Sequence, residues 1–169
     1  MKLVIASDIH GSASWCEKLL SAIEEERPDS IVLLGDLLYH GPRNPLPDNY
    51  APAEVAAMLN RYAERIVAIR GNCDSEVDQM MLDFPCMGDY ALVVDGTKRL
   101  FLTHGHVYQP DSLPKLPEGS AFVYGHTHVR RNDLYQGIQL VNPGSIALPK
   151  DDARGYAIYE NGTFELRDL

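Results

Sequence analysis

The chain has 169 residues, of which 45% are hydrophobic and 23% charged, and its formal net charge is −9 at pH 7. These values are typical of a globular protein and predict one domain over residues 1–169. An acidic chain does not offer the basic face that long nucleic acids require, so we expect no extended nucleic-acid partner. The negative charge does not exclude a short oligonucleotide as a partner. The sequence has no apolar run of membrane-spanning length and no signal-peptide pattern after Met1, so we expect no membrane partner.

The cysteine content indicates the redox environment. Cys16, Cys73 and Cys86 are odd in number and show no C-x-x-C spacing. This pattern favours reduced thiols over a disulfide framework. We therefore expect a cytoplasmic protein.

Five apolar runs along the chain each end in residue types that bind metal ions. Such short aliphatic runs are typical of buried strands. The residues that follow the five runs are Asp8 and His10, Asp36, Asn72 to Asp74, His104 and His106, and His126 and His128. Ligands of open α/β sheets bind where strands end. The pattern predicts a two-metal hydrolase site at one sheet edge, with Asp36 bridging the ions.

Between the first three strands the sequence predicts two helices. Ser14 with Glu17 forms a capping-box pattern at the start of the first helix, and the second helix covers about residues 53–63. Strands and helices that alternate in this way predict a parallel β-α-β-α-β half. From Tyr90 onwards three turn dipeptides predict hairpins instead. They are Asp95-Gly96, Gln136-Gly137 and Asn161-Gly162.

The tract from Tyr39 to Pro52 contains four prolines and no periodicity, which predicts an ordered loop beside the metals. Arg43 lies within it and is a candidate contact for a substrate phosphate, because guanidinium forks suit phosphate oxygens. A solvent-exposed arginine without a role is an equal alternative.

Two pairs of proposed ligands share a spacing. Asp8 and His10, like His126 and His128, are two residues apart, and in an extended chain such residues point to the same side. Each pair is therefore expected to address one ion. A single H-x-H is a weak signal, whereas the ordered series D-x-H, G-D, G-N-x-D, H-G-H and G-H-T-H is far more specific.

With these motifs and Asn142-Pro143-Gly144-Ser145, the sequence resembles the calcineurin-type metallophosphoesterase superfamily. Within that superfamily it is similar to the small bacterial YfcE-like phosphodiesterases, over nearly the whole chain. The resemblance implies an α/β fold, namely a four-layer α-β-β-α sandwich of two mixed sheets.

The resemblance also implies how two divalent ions are held. The ligands of the first ion would be Asp8, His10, Asp36 and His128, and those of the second Asp36, Asn72, His104 and His126. Oxygen and imidazole ligands suit Mn, Fe, Co, Ni or Zn, and family habit favours Mn. Ions about 3.5–4 Å apart would clamp a phosphoryl group and share a hydroxide that attacks phosphorus. Asn72 would also contact the substrate.

The sequence departs from much of the superfamily at Cys73. A histidine that protonates the leaving group commonly occupies this position, whereas here the motif is Gly71-Asn72-Cys73-Asp74, as in the YfcE-like group. Cys73 and Asp74 are our candidate catalytic residues. Nearby cations are expected to lower the thiol pKa. A purely structural thiol that fills a histidine-sized gap is an equal alternative for Cys73.

The resulting prediction is a metal-dependent phosphodiesterase that acts on small phosphodiesters. A phosphomonoesterase or a nuclease on short strands is the enzymatic alternative, and a protein-binding scaffold like the retromer subunit Vps29 is the alternative from another class. Every proposed ligand position carries a competent ligand, His10 included, which favours catalysis. The sequence leaves the oligomeric state open, a homo-oligomer included.

Overall fold

The computed structural model describes residues 1–151 and 153–169. Its α-helices are α1 (Ala13–Glu26), α2 (Pro52–Asn60) and α3 (Glu76–Met81). Its strands are β1 (Lys2–Ala6), β2 (Ser30–Leu33), β3 (Ile66–Ala68), β4 (Tyr90–Asp95), β5 (Lys98–Thr103), β6 (Ala121–Val123), β7 (Arg131–Tyr135), β8 (Ile138–Asn142), β9 (Gly155–Glu160) and β10 (Thr163–Asp168).

The first sheet has the strand order β10-β9-β1-β2-β3. Strands β1, β2 and β3 are parallel, and α1 and α2 connect them, which confirms the predicted parallel half. Strands β9 and β10 form a hairpin that pairs antiparallel to β1. The sheet is therefore mixed.

The second sheet has the order β4-β5-β6-β8-β7. Its central strands β5, β6 and β8 are parallel, whereas β4 and β7 pair antiparallel with their neighbours. The three hairpins β4-β5, β7-β8 and β9-β10 turn at the dipeptides that predicted them. Glycine at the second position of these turns adopts positive φ, between 60° and 83°.

The two sheets pack face to face through alternate residues of their strands. Leu3, Ile5 and Val32 of the first sheet share one buried cluster with Leu102 and Val123 of the second. The other face of the first sheet packs against α1 and α2 in a second cluster. This arrangement confirms the α/β class and the two mixed sheets.

The outer face of the second sheet is covered by the segment 104–120. Leu113 and Leu116 of this segment pack against Phe101 and Phe122. This segment contains no helix. Its prolines, at 110, 114 and 117, account for this, because proline removes a backbone donor and clashes inside a helix. Among the described residues, none of the helices is long and apolar enough to cross a membrane.

Candidate metal centre

The proposed ligands follow the carboxyl ends of five parallel strands. Asp8 comes after β1, Asp36 after β2, Asn72 after β3, His104 after β5, and His126 and His128 after β6. The sheets pack with these ends at the same edge, so the loops meet: Nε2 of His104 lies 3.5 Å from Oδ2 of Asp36, across the two sheets.

One group of ligand atoms consists of Asp8, His10 and His128, all buried. Nε2 of His128 lies 3.1 Å from Oδ1 of Asp8 and 3.3 Å from Nε2 of His10. Nε2 of His10 lies 3.6 Å from the same Asp8 oxygen. Three nitrogen and oxygen donors thus converge at a spacing that suits a shared cation.

Asp36 lies between this group and a second one. Its Oδ2 is 3.7 Å from Nε2 of His10 and 3.5 Å from Nε2 of His104. Nε2 of His104 is in turn 3.1 Å from Oδ1 of Asn72, and the ring of His126 lies 5.1 Å from that of His104. The carboxylate of Asp36 therefore faces both sets of ligands.

Backbone carbonyls fix the orientation of three histidine rings. Nδ1 of His10 bonds to the carbonyl of Tyr39 at 2.9 Å. Nδ1 of His104 bonds to Leu34, and Nδ1 of His128 to Leu148, both at 2.6 Å. A carbonyl oxygen only accepts, so each Nδ1 carries a proton, and the Nε2 of each neutral ring presents a lone pair to the site. Histidine ligands of metal ions are held in this way.

These lone pairs provide a test of whether a cation fits. Nε2 of His10 and Nε2 of His128 face each other at 3.3 Å, and two acceptors at that distance repel unless a positive charge lies between them. Oδ1 of Asp8 is also buried without a hydrogen-bond donor among the described residues. Such unpartnered buried oxygens are costly. The residues present therefore fit a cation.

The electrostatics of the site lead to the same conclusion. Burial disfavours the charged form of His104, yet the carboxylate of Asp36, together with the charge of Asp8, raises the pKa of His104 to about 9. Burial also acts against the charge of Asp8, but its contacts with His10 and His128 keep the pKa of Asp8 well below its usual value. Two buried carboxylates thus hold their negative charge and attract positive charge.

The backbone of the ligand loops corrects one of our arguments. Asp8, His10, Asp36, His126 and His128 all adopt positive φ, between 48° and 65°. Their segments are therefore not extended, so the geometry of an extended chain does not apply: Asp8 and His10 still face one group, whereas His126 and His128 do not. His128 joins Asp8 and His10, whereas His126 lies beside His104. Left-handed conformations of non-glycine residues are uncommon and cluster at functional sites.

Asp74 lies behind the ligand loops and is buried. Its two oxygens accept the backbone N–H groups of Asp36 at 2.8 Å, Leu37 at 2.9 Å and Gly71 at 2.7 Å. Burial raises the pKa of Asp74 to about 6, in spite of these donors. The carboxylate thus ties the loop after β2 to the loop after β3, and the described lining of the cleft does not include it.

The ligands open into a cleft of about 420 Å³. Arg43, Asn72 and Cys73 line it beside the ligands. Lys150 lines it as well, and sequence reasoning missed this residue. Lys150 follows no strand and belongs to no motif that we singled out, so its position depends on the fold of the segment after β8.

Cys73 is a half-buried thiol whose backbone N–H donates to Oδ1 of Asp36 at 2.8 Å. Burial, followed by the charge of Asp36, raises the pKa of Cys73 well above that of an ordinary thiol. The predicted lowering of the thiol pKa depends on bound cations, whose charge opposes this effect. The protein's own groups favour the neutral thiol, because they surround it with negative charge.

Comparison with known proteins identifies one family. Residues 1–163 match the family model described as calcineurin-like phosphoesterase superfamily domain. The phosphodiesterase YfcE of Escherichia coli K12 is 47% identical over 162 residues, which are 95% of this chain and 88% of that protein. The solved structure of YfcE, a phosphoesterase from E. coli, matches with a TM-score of 0.93 at 46% identity, over 95% of this chain and 89% of the other.

More distant structures share the fold alone. A novel archaeal phosphodiesterase has a TM-score of 0.71 at 19% identity, and each chain is covered in full. Wild-type Vps29 from Entamoeba histolytica, complexed with Zn²⁺, has a TM-score of 0.63 at 16% identity, over 100% of this chain and 98% of the other.

Proposed function

Because this chain belongs to the calcineurin-like phosphoesterase superfamily and is a hydrolase, we propose that it is a metal-dependent phosphodiesterase acting on small phosphodiesters. The proposal places two divalent ions, Mn²⁺ by preference, in the domain formed by residues 1–169. The observation that carries it is the position of Asp36, whose Oδ2 lies within 3.7 Å of His10 Nε2 and 3.5 Å of His104 Nε2.

We assign the ligands as two sets that share Asp36. Asp8, His10, Asp36 and His128 would hold one ion, and Asp36, Asn72, His104 and His126 the other. Two facts support these sets: the facing lone pairs of His10 and His128, and the contact between His104 and Asn72. When bound, such a pair of ions stabilises charge on a phosphoryl group and activates water for attack on phosphorus.

The remaining residues position the reaction. Arg43 and the amide of Asn72 line the cleft, and we assign both to contacts with the substrate. We propose that Asp74 positions the loops instead of acting as a catalytic residue, because backbone amides occupy both of its oxygens. Cys73 faces the cleft, and we propose that it does not protonate the leaving group, because a thiol lacks the near-neutral pKa that suits histidine to this role.

Three other functions compete with this proposal. A phosphomonoesterase or a short-strand nuclease would use the same ions on another substrate. A Vps29-like scaffold would need no turnover. The phosphodiesterase reading is preferred because YfcE, at 47% identity, is a phosphodiesterase, and because all seven ligand positions carry side chains able to bind a metal.

The test removes metal with a chelator and adds back Mn²⁺. Turnover of bis(p-nitrophenyl) phosphate is expected to return, and to exceed turnover of p-nitrophenyl phosphate. An Asp36→Asn variant is the control for contaminating phosphatase. A preference for the monoester would exclude the diesterase, and no metal-dependent turnover of either ester would favour the scaffold.

We further propose a cytoplasmic location and self-association. All three cysteines are free thiols, which suits a reducing compartment.

The proposed self-association involves the edge strand β4. Three of its side chains are exposed, Tyr90 by 53%, Leu92 by 49% and Val94 by 58%. Exposed apolar edge strands pair readily with a second chain. Analytical ultracentrifugation is expected to show an oligomer that Leu92→Lys dissociates, and a monomeric wild type would exclude this contact.

A further inference from the structure

We infer that the cleft binds a second anionic group beside the scissile phosphate, held by Arg43 and Lys150. The preferred substrate is then a phosphodiester that also carries a non-reacting phosphate. This inference rests on the proposed phosphodiesterase function and narrows its substrate class. Both cations line the same 420 Å³ cleft as Asp36, Asn72 and His128.

Lys150 is presented by a segment that is tied to the metal ligands. Its backbone N–H donates to the carbonyl of His128 at 2.9 Å, and Nδ1 of His128 donates to the carbonyl of Leu148 at 2.6 Å. Further along, the hydroxyl of Ser145 accepts the N–H of Leu148 at 2.9 Å and donates to the carbonyl of Asp8 at 2.9 Å. The backbone of Lys150 is therefore fixed relative to His128 and Asp8.

Arg43 is presented by a separate turn on the loop after β2. Asn44 closes this turn through two hydrogen bonds. Its backbone N–H donates to the carbonyl of Gly41, and its side-chain amide donates to the carbonyl of His40. Gly41 packs closely on Cys73, since a Cβ at this glycine would lie 2.8 Å from Sγ. The two cations thus come from two different loops, each held against the metal site.

Among the described residues, these two cations have no acidic partner in the cleft. Asp36 is the one acidic side chain in the described lining. Its Oδ1 accepts the N–H of Cys73, and its Oδ2 faces His10 and His104. Among the described residues, the ion pairs of the protein do not include Arg43 or Lys150.

The scissile phosphate does not account for two further cations. A phosphodiester carries one negative charge, and the proposed metal ions already meet it. Arg43 and Lys150 are therefore available to a further anion, because the described lining of the cleft offers them no acidic side chain besides Asp36. The cleft volume falls in the range of small-molecule sites, about 300–1,000 Å³, which leaves room beyond the reacting group. Arg and Lys side chains are the usual partners of phosphate.

The experiment compares two activated diesters that differ in one group. Thymidine 5′-(p-nitrophenyl phosphate) is measured with and without a 3′-phosphate, in the Mn²⁺-loaded full chain. The wild type is expected to prefer the 3′-phosphorylated ester by about tenfold in kcat/KM, chiefly through KM. Lys150→Gln and Arg43→Gln should each reduce this ratio towards one, and Lys150→Arg should keep it. Lys115→Gln, which removes an exposed lysine outside the cleft, is the matched control and should also keep the ratio.

Calorimetry separates this inference from the proposed function. Thymidine 3′,5′-bisphosphate is expected to bind the Mn²⁺-loaded wild type more tightly than thymidine 5′-monophosphate, and Lys150→Gln should remove the difference. Equal binding of the two nucleotides, or a substrate ratio near one in the wild type, overturns the inference and leaves the phosphodiesterase intact. If neither ester is turned over, the proposed phosphodiesterase function is wrong. The binding of the two nucleotides in calorimetry then tests the second anion site by itself.

Discussion

The substitution Gly71→Ala adds one methyl group beside Asp36 and so tests the proposed role of that residue in the metal site. A Cβ at this position would lie 2.1 Å from Oδ1 and 2.3 Å from the backbone nitrogen of Asp36. Atoms do not approach so closely, so Gly71→Ala has to displace the loop that carries Asp36. The φ angle of Gly71 lies outside the left-handed region, which means that the substitution tests the clash and not backbone strain.

The expected magnitude follows from these distances. To move from 2.1 Å to ordinary contact at 3.4 Å, the Asp36 carboxylate has to shift by about 1.3 Å. Metal–ligand distances tolerate about 0.2 Å, so such a shift breaks the shared coordination. Overpacking of this kind also destabilises a fold by about 1–3 kcal/mol. We therefore expect Gly71→Ala to lose at least one metal ion per chain and most of its activity.

The assay combines urea unfolding, elemental analysis of bound metal and turnover of bis(p-nitrophenyl) phosphate. Gly88→Ala is the matched control, because the nearest atom to its added Cβ is 3.6 Å away and its φ is also outside the left-handed region. That control is expected to change stability by about 0.5 kcal/mol or less. Two metals per chain and normal turnover in Gly71→Ala would refute the proposed role of Asp36.

Three further predictions concern the side chains around the ions. Asp36→Asn is expected to lose activity and at least one bound metal with an unchanged circular dichroism spectrum, and a variant that keeps both metals and full turnover would contradict this. With Cys73 in the cleft, kcat/KM of the wild type is expected to fall steeply as the pKa of the leaving group rises. Cys73→His should flatten this dependence by supplying an acid. A wild-type kcat/KM that does not vary with leaving-group pKa would contradict the prediction. Asp74→Asn leaves at least one of three buried backbone N–H groups without its acceptor. Urea unfolding should therefore show that the free energy of unfolding falls by about 1–3 kcal/mol. An unchanged unfolding midpoint would contradict the positioning role.

Sequence patterns predicted the elements that depend on local chemistry. Apolar runs before Asp8, Asp36 and His104 marked strands, because short aliphatic runs bounded by turn residues are typical of buried strands. Turn dipeptides such as Asn161-Gly162 marked hairpins, since few residues tolerate positive φ. The predicted cap at Ser14 was wrong, because α1 begins at Ala13 after Ser12. Two serines, Ser12 and Ser14, are available in this stretch, and tertiary contacts decide between them.

Features that depend on tertiary structure were not predicted. The position of Lys150 in the cleft follows from its backbone bond to His128, which lies 22 residues away in the chain. Asp74 faces backbone amides because the loops after β2 and β3 meet there, and no local pattern signals that meeting. The left-handed conformation of Asp8 and His126 also reflects the packing of loops, since neither residue type requires it.

The most direct test of the account is a crystal structure of the Mn²⁺-loaded protein with anomalous diffraction data. We predict two anomalous peaks about 3.5–4 Å apart, one on each side of Oδ2 of Asp36, with His10 at one and His104 at the other. A single peak, or two peaks that Asp36 does not bridge, would contradict the proposed centre.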